Sequence, residues 1–256
     1  FGSGIRRLVH STQKKQAILR SAGVICVSQN TKRDLLHFFP EVDESRVRVI
    51  YNGVGEEFFP LASGEKHSLP RRFPELAKRP FVLFVGARNG YKNFDKAVAV
   101  VSRMEGVGLV AVGGEPMQEN ESARLSASCG WFSHVSGIGP EDLNLLYNSA
   151  FCLLYPSAYE GFGIPVLEAM KAGCPVVACD LSSIPEIAGE AALLTRSPDV
   201  DELLVAMKSL NNQEVRAKCV EQGIARAARF SWRACAEETS AFYDEVAARE
   251  FGESLA

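Results

Sequence analysis

The 256-residue sequence lacks most of the features that would identify a metalloprotein, a membrane protein or a disulfide scaffold. Its four histidines, His10, His37, His67 and His134, are scattered, and none stands at metal-ligand spacing from a cysteine or carboxylate, so no metal site is expected. The seven cysteines are odd in number and contain no Cys-x-x-Cys. Most sit in apolar surroundings, such as Cys152 in Ala-Phe-Cys-Leu-Leu, and are expected to be reduced, buried thiols of a cytosolic protein. No apolar run reaches the roughly 18–20 residues that span a bilayer. The start, Phe1-Gly2-Ser3-Gly4 followed by Arg6-Arg7, has neither an initiator methionine nor the apolar core of a signal peptide, so a truncated chain is expected. Net charge is nearly absent, at −3, which removes any electrostatic reason to expect nucleic acid as a partner. No Gly-x-Gly-x-x-Gly follows an apolar run, which argues against a nicotinamide-dependent dehydrogenase, and no Asp-x-Asp adjoins such a run. There is no repeat of fixed period. The sequon Asn120-Glu121-Ser122 is read as coincidence in a chain without a secretion signal.

What is present is an ordinary globular composition, 46% hydrophobic and 23% charged, long enough for one or two domains. Short apolar runs at 24–27, 47–50, 81–85, 108–112, 152–155 and 175–178 alternate with helical patterns at 29–38, 93–103, 141–149, 165–172 and 200–209. Several runs are apolar throughout, as in strands covered on both faces, and the alternation predicts a doubly wound α/β fold with a parallel sheet. Residues 53–79, which open on the turn dipeptide Asn52-Gly53 and carry Pro60, Ser63-Gly64, Pro70 and Pro74, read as a linker or crossing. The expected domains are 1–54, a small piece unable to bury a core alone; 55–231, the main α/β domain; and 232–256, a terminal helix with Trp232, Cys235, Phe242, Tyr243 and Val246 on one face.

The most informative segment runs from Tyr155 through Glu160-Gly161-Phe162-Gly163-Ile164-Pro165 to Glu168. A strand ends, a loop follows, and a helix opens near Pro165, where the missing N–H is not needed. The backbone amides of Gly161, Phe162, Gly163 and Ile164 are thus expected to face one spot before a helix N-terminus, an anion site at the C-terminal end of a parallel strand. Glu160 precedes the loop, and Glu168 is placed in the first helical turn, where the helix dipole alone could account for an acid. A carboxylate also suits a pair of vicinal hydroxyls such as a ribose offers. Tyr155 and Tyr159 are read as packing, and Gly113-Gly114 as a strand-to-loop turn.

Glu160-x7-Glu168 enclosing Gly-Phe-Gly resembles the EX7E motif of family-four retaining glycosyltransferases of the GT-B fold, glycosyl transferases group 1. Four other blocks fall in that family's order: Val27-Ser28 to Asp34, Val49 to Val54, Val85-Gly86-Ala87-Arg88 to Lys92-Asn93, and Ala178 to Leu193. The resemblance implies the C-terminal, nucleotide-sugar-binding half of such an enzyme, with a remnant of the acceptor domain before it and a last helix returning toward that domain. It implies that Glu168 binds ribose, that Glu160 lies near the donor sugar, and that residues 161–164 meet the sugar or phosphate. Arg88 and Lys92, beside Gly86, would neutralise the diphosphate in place of a metal. Gly137, Ile138 and Leu143 would adjoin the base. One departure stands out: Ala87 follows Gly86, and Arg88 stands four residues before Lys92, where many relatives carry the basic residue directly after the glycine.

The implied reaction is glycosyl transfer with retention from a UDP-sugar, favoured over a GDP-sugar, to a glycan or glycolipid. No cofactor or metal is needed. The setting is cytoplasmic or peripheral to the membrane, as in polysaccharide assembly. This chain alone, without the first domain, is expected to transfer poorly. Two other readings stay open: a non-catalytic nucleotide-sugar-binding module, and a nucleotide-sugar-modifying α/β enzyme such as an epimerase.

Overall fold

The computed structural model describes residues 3–62, 69–77, 79–88 and 90–252. In chain order the elements are α1 (Ser3–Arg20), β1 (Val24–Cys26), α2 (Gln29–Phe38), β2 (Val47–Val49), α3 (Leu69–Arg72), β3 (Phe81–Val85), α4 (Phe94–Val101), β4 (Gly108–Val112), α5 (Glu119–Ser128), β5 (Phe132–Val135), α6 (Pro140–Ser149), β6 (Leu153–Tyr155), α7 (Ile164–Lys171), β7 (Val176–Cys179), α8 (Ile184–Ala188), β8 (Leu193–Thr195), α9 (Val200–Ser209), α10 (Gln213–Ala227) and α11 (Trp232–Phe251). They form two compact units. One takes the chain up to Gly53 together with the chain from Trp232 onward, and the other is Val54–Ser231.

The larger unit is built on a six-stranded, all-parallel sheet of order β5-β4-β3-β6-β7-β8. The four inner strands carry the runs Phe-Val-Leu-Phe-Val, Gly-Leu-Val-Ala-Val, Leu-Leu-Tyr and Val-Val-Ala-Cys, buried almost throughout. Strands covered by helices on both faces have no solvent side for polar residues, so their sequences do not alternate. Val82 and Phe84 of β3, with Leu109 and Ala111 of β4, pack against Phe94, Ala97 and Val101 of α4 and Leu203 and Met207 of α9. On the other helices, Gly223 of α10 admits Met170 of α7 at close range. The two edge strands were not among the apolar runs. Phe132-Ser133-His134-Val135 is half polar, and Leu193-Leu194-Thr195 is only three residues long. An edge strand pairs on one side alone and tolerates such composition.

Chain order runs outward from β3 through β4 to β5, then returns to the other side of β3 with β6. The direction reverses between β3 and β6, which is where open α/β sheets leave a crevice at their carboxyl edge. The described part of the expected linker is not loose. Val54 and Phe58 are buried, Phe59 N and Leu61 N donate to Asn144 and Asn148 of α6, and Arg72 of α3 makes two 2.6 Å bonds to Asp142. Residues 63–68 and 78, including Ser63-Gly64, lie outside the described residues.

In the smaller unit β1 and β2 pair in parallel, Val24 with Val47 and Cys26 with Val49. Ser28 caps α2 by accepting from Thr31 N at 3.0 Å. Cys26, Val42 and Val47 form its core with Ile18, Leu19, Leu35 and Leu36. On α11 the inward stripe is Cys235, Thr239, Phe242 and Val246, whose spacing of four, three and four keeps one helix face. A side chain on Gly23 would come within 2.7 Å of the Phe242 ring, which Arg48 covers at 5.3 Å. Trp232 and Tyr243, expected on the buried face, are exposed; Tyr243 follows Phe242 directly and is turned about 100° away from it. Six of the seven cysteines are buried and all are free thiols. Among the described residues no helix is long and apolar enough to cross a membrane.

Leu153 is fully buried in β6 and joins β3 to β7. Leu153→Ala is expected to cost about 2–5 kcal/mol of unfolding free energy. A urea titration that shows less than about 1 kcal/mol would mean that the sheet centre collapses around the gap.

Candidate functional site

Two loops meet at the reversal point. The first leaves β3 through Gly86, whose backbone has φ of 130° and whose missing Cβ would lie 3.3 Å from Lys92 Cε. Glycine at 86 therefore leaves both the conformation and the space that the lysine needs. The second loop leaves β6 at Pro156 and runs to Gly163, the left-handed residue that opens α7. Between the loops, Lys92 Nζ lies 2.8 Å from Glu160 Oε1 and donates to Tyr155 Oη at 3.0 Å. Their side chains are 14% and 11% exposed, so this ion pair is sheltered from solvent screening. The Tyr155 ring also lies 4.9 Å from the ammonium. Burial, and then the Glu160 charge, push the Tyr155 phenol well above its ordinary pKa, so it stays protonated.

The loop around Glu160 is held by residues that the sequence did not single out. Asn93 Nδ2 donates to Pro156 O at 2.9 Å, and Ala158 N donates to Tyr91 O at 2.8 Å, tying the second loop to the first. Glu160 N donates to Ser182 Oγ at 2.8 Å. Ser183 Oγ donates to the carbonyls of Glu160 and Phe162 at 2.9 and 3.0 Å. Asn93 and Ser182 are the two non-glycine residues with positive φ among the described residues, at 52° and 55°. Each such conformation costs of order 1–3 kcal/mol and persists only where its surroundings fix it. A Cβ on Gly163, which has φ of 103°, would meet Ile184 Cδ1 at 2.7 Å. Helix α7 has no side-chain cap, but Pro165 has no N–H and Val166 N donates to Gly163 O at 3.0 Å, so an anion at this helix start would meet the helix dipole and the Ile164 amide rather than a full turn of amides.

Glu168 lies on the fifth residue of α7, in its second turn rather than the first, because the helix begins at Ile164. The helix-dipole account of this acid is thereby removed, since the effect fades beyond the first turn. Glu168 Oε2 instead accepts from Tyr147 Oη of α6 at 2.9 Å. Burial raises the Glu168 pKa above the usual carboxylate range, against the lowering effect of the Tyr147 bond, and the nearby Glu57 charge adds to the rise. Tyr147 is itself fully buried, with Phe58 edge-on at 5.9 Å. Leu143 lies one turn before Tyr147 on the same side of α6 and is half-buried, as is Ile138, while Gly137 is exposed with φ of 68° at the end of β5.

Arg88 takes a different position. Its guanidinium donates to Gly113 O at 3.3 Å and Glu115 O at 2.8 Å, lies 3.0 Å from His134 Nε2, and has Glu121 at 3.5 Å. The structure therefore brings together Gly86, Lys92, Glu160 and the loop at 161–164, and engages Arg88 with the ends of β4 and β5. Ala87 intervenes, so Arg88 leaves the backbone one residue later than the family pattern has it. Tyr155 is buried, whereas Tyr159, read as packing, is 46% exposed. The single Asp-x-Asp of the chain serves structure: Asp199 caps α9 and Asp201 pairs with Arg103. Among the described residues no three histidine, cysteine or acidic side chains converge as a metal site would require.

The arrangement offers a buried ammonium and an uncapped helix for an anion, and two carboxylates for hydroxyls. Residues 66–226 match the family model for Glycosyl transferases group 1, and residues 2–58 match that for Glycosyltransferase Family 4. O-antigen chain mannosyltransferase B of Escherichia coli is 27% identical over 226 residues, covering 84% of this chain and 58% of that protein. Alpha-maltose-1-phosphate synthase of Mycolicibacterium smegmatis is 30% identical over 262 residues, covering 94% of this chain and 67% of that protein. The chain thus spans roughly three-fifths to two-thirds of these relatives' lengths. Among solved structures, Anabaena HepE in complex with UDP and glucose superposes with a TM-score of 0.76 at 18% identity, covering 89% of this chain and 64% of that one.

A raised carboxylate pKa has a consequence for stability. The folded-state pKa of Glu168 exceeds its unfolded value, so its ionisation opposes folding fully above the folded pKa and not at all below the ordinary glutamate range. Glu168→Gln, which can still accept from Tyr147, is expected to raise the melting temperature at pH 7, with the gain closing as the pH falls into that range. Thermal unfolding across pH checks this. A variant less stable than the native protein at pH 7 would show that burial is not the dominant influence.

Proposed function

Because the chain belongs to the glycosyl transferases group 1 family, with the GT-B fold, we propose that it binds a nucleoside diphosphate sugar at the β3–β6 crevice for transfer of the sugar, with retention, to a glycan or glycolipid. The observation that carries this reading is the sheltered Lys92–Glu160 pair beside the uncapped start of α7, with Glu168 further along the same helix. The β-phosphate accumulates charge as the glycosyl bond breaks, and Lys92 with the amides of the 161–164 loop stabilises it. No metal is required for this. Glu160 orients a hydroxyl of the donor sugar and is not a covalent nucleophile. Glu168, fixed by Tyr147, receives the ribose hydroxyls. Gly137, Ile138 and Leu143 border the base.

UDP is favoured over GDP, supported by the UDP and glucose found in HepE, which shares the fold. Arg88 acts by holding the Gly113–Glu115 turn rather than as the main phosphate contact. Family membership sets the epimerase alternative aside.

Calorimetric titration in EDTA tests the reading. UDP is expected to bind more tightly than GDP, and Lys92→Ala and Glu168→Ala are each expected to weaken binding about tenfold or more, as for the loss of a charged hydrogen bond. Binding of neither nucleotide, or binding only with added Mg²⁺, would contradict it.

A further inference from the structure

Two phenol rings lie within about 6 Å of the Lys92 ammonium. Tyr155, at 4.9 Å, is buried, whereas Tyr91, at 5.8 Å, is 53% exposed. Tyr159, the residue before Glu160, is 46% exposed. The bonds from Ala158 N to Tyr91 O and from Asn93 Nδ2 to Pro156 O hold these two tyrosines on adjoining stretches of backbone. Exposed aromatic residues scattered singly need no explanation. Here two of them lie on the adjoining loops that carry the sheltered Lys92–Glu160 pair, Tyr91 next to Lys92 and Tyr159 next to Glu160 in the chain.

The groups assigned above to the donor sugar and diphosphate are an ammonium, a carboxylate and helix amides, all of them partners for phosphate or hydroxyl. Ile138 and Leu143, which border the base, are the apolar ones, and none of these groups offers an aromatic face to a sugar ring. A pyranose ring carries a rim of hydroxyls around a face of C–H bonds, and that face packs on the electron-rich face of an aromatic ring. The Tyr91 ring lies 5.8 Å from the Lys92 ammonium and is about half exposed, so it is open to a second sugar arriving from solvent. We propose that Tyr91, with Tyr159 beside it, is a stacking platform for the pyranose ring of the acceptor. The inference rests on the donor-site reading above.

The test is saturation-transfer NMR of methyl α-D-mannopyranoside and methyl α-D-glucopyranoside with the 256-residue chain. The donor subsite is filled by the unreactive UDP-2-deoxy-2-fluoroglucose, and native protein is compared with Tyr91→Ala and Tyr91→Phe. Saturation of the glycoside C–H protons is expected to fall about fivefold or more in Tyr91→Ala and to persist in Tyr91→Phe, which keeps the ring. UDP affinity is expected to change by less than about twofold in both. Three results would overturn the platform. Glycoside saturation could survive Tyr91→Ala. It could be seen with UDP and abolished by the fluoro-sugar nucleotide, which would place the ring in the donor subsite. UDP affinity could fall in step with it, which would make Tyr91 a support for Lys92. Failure of the native chain to bind any nucleotide would remove the donor reading and the platform with it, an outcome distinct from these three.

Discussion

The pairing of β3 with β6 is the constraint on which the rest of the site depends. Leu83 N donates to Cys152 O at 2.9 Å and Phe151 N donates to Phe81 O at 2.7 Å, so two strands far apart in sequence become neighbours at the sheet centre. Because the chain has already moved outward from β3 to β4 and β5, no connection crosses the carboxyl edge between β3 and β6. The loop bearing Lys92 and the loop bearing Glu160 then have to face each other. Asn93 and Ala158 fasten them at that spacing, and Ser182 and Ser183, from the loop after β7, fasten the far side. A buried ion pair in this position is a product of topology before it is a product of side-chain choice.

The inner strands were legible because burial on both faces leaves an unbroken apolar run. The edge strands β5 and β8 were not, since one-sided pairing permits Ser133, His134 and Thr195. Helices α5 and α10 were also missed, because their mean character is polar and their apolar positions are sparse. Within the site, Glu160, Glu168, Gly86 and Lys92 could be singled out because each belongs to a spaced local motif. Their partners could not. Tyr147 lies on the preceding helix, Ser182 and Ser183 belong to another loop, and the outward position of Tyr159 depends on backbone geometry that its neighbours Ala158 and Glu160 do not specify. Asn93, adjacent to Lys92, was the one partner with a local signal, as asparagine tolerates the left-handed conformation better than other non-glycine residues. Arg88 was singled out in the same way, but its bonds to the carbonyls of Gly113 and Glu115 depend on the turn after β4 and carry no local signal.

The site carries local costs that the rest of the fold must offset. Glu168 is buried against a phenol with a second carboxylate nearby, and Asn93 and Ser182 occupy strained backbone conformations. These costs fall on residues around one crevice, while the sheet beneath is uniformly apolar and close-packed. Stability drawn from the sheet thus supports a local arrangement that hydrogen bonding alone would not sustain, as is common at functional sites.

The Lys92–Glu160 pair also bears on how fast a ligand can arrive. With opposite charges 2.8 Å apart, the pair acts at a distance as a dipole rather than a net charge. Beyond about one Debye length, roughly 8 Å at physiological ionic strength, an incoming diphosphate feels little attraction from it. This pair therefore adds little to the long-range steering of an anion, which falls to the summed charges of the surrounding surface. On the reading proposed above, the lysine's charge would become available only after contact, once a donor hydroxyl engages the glutamate.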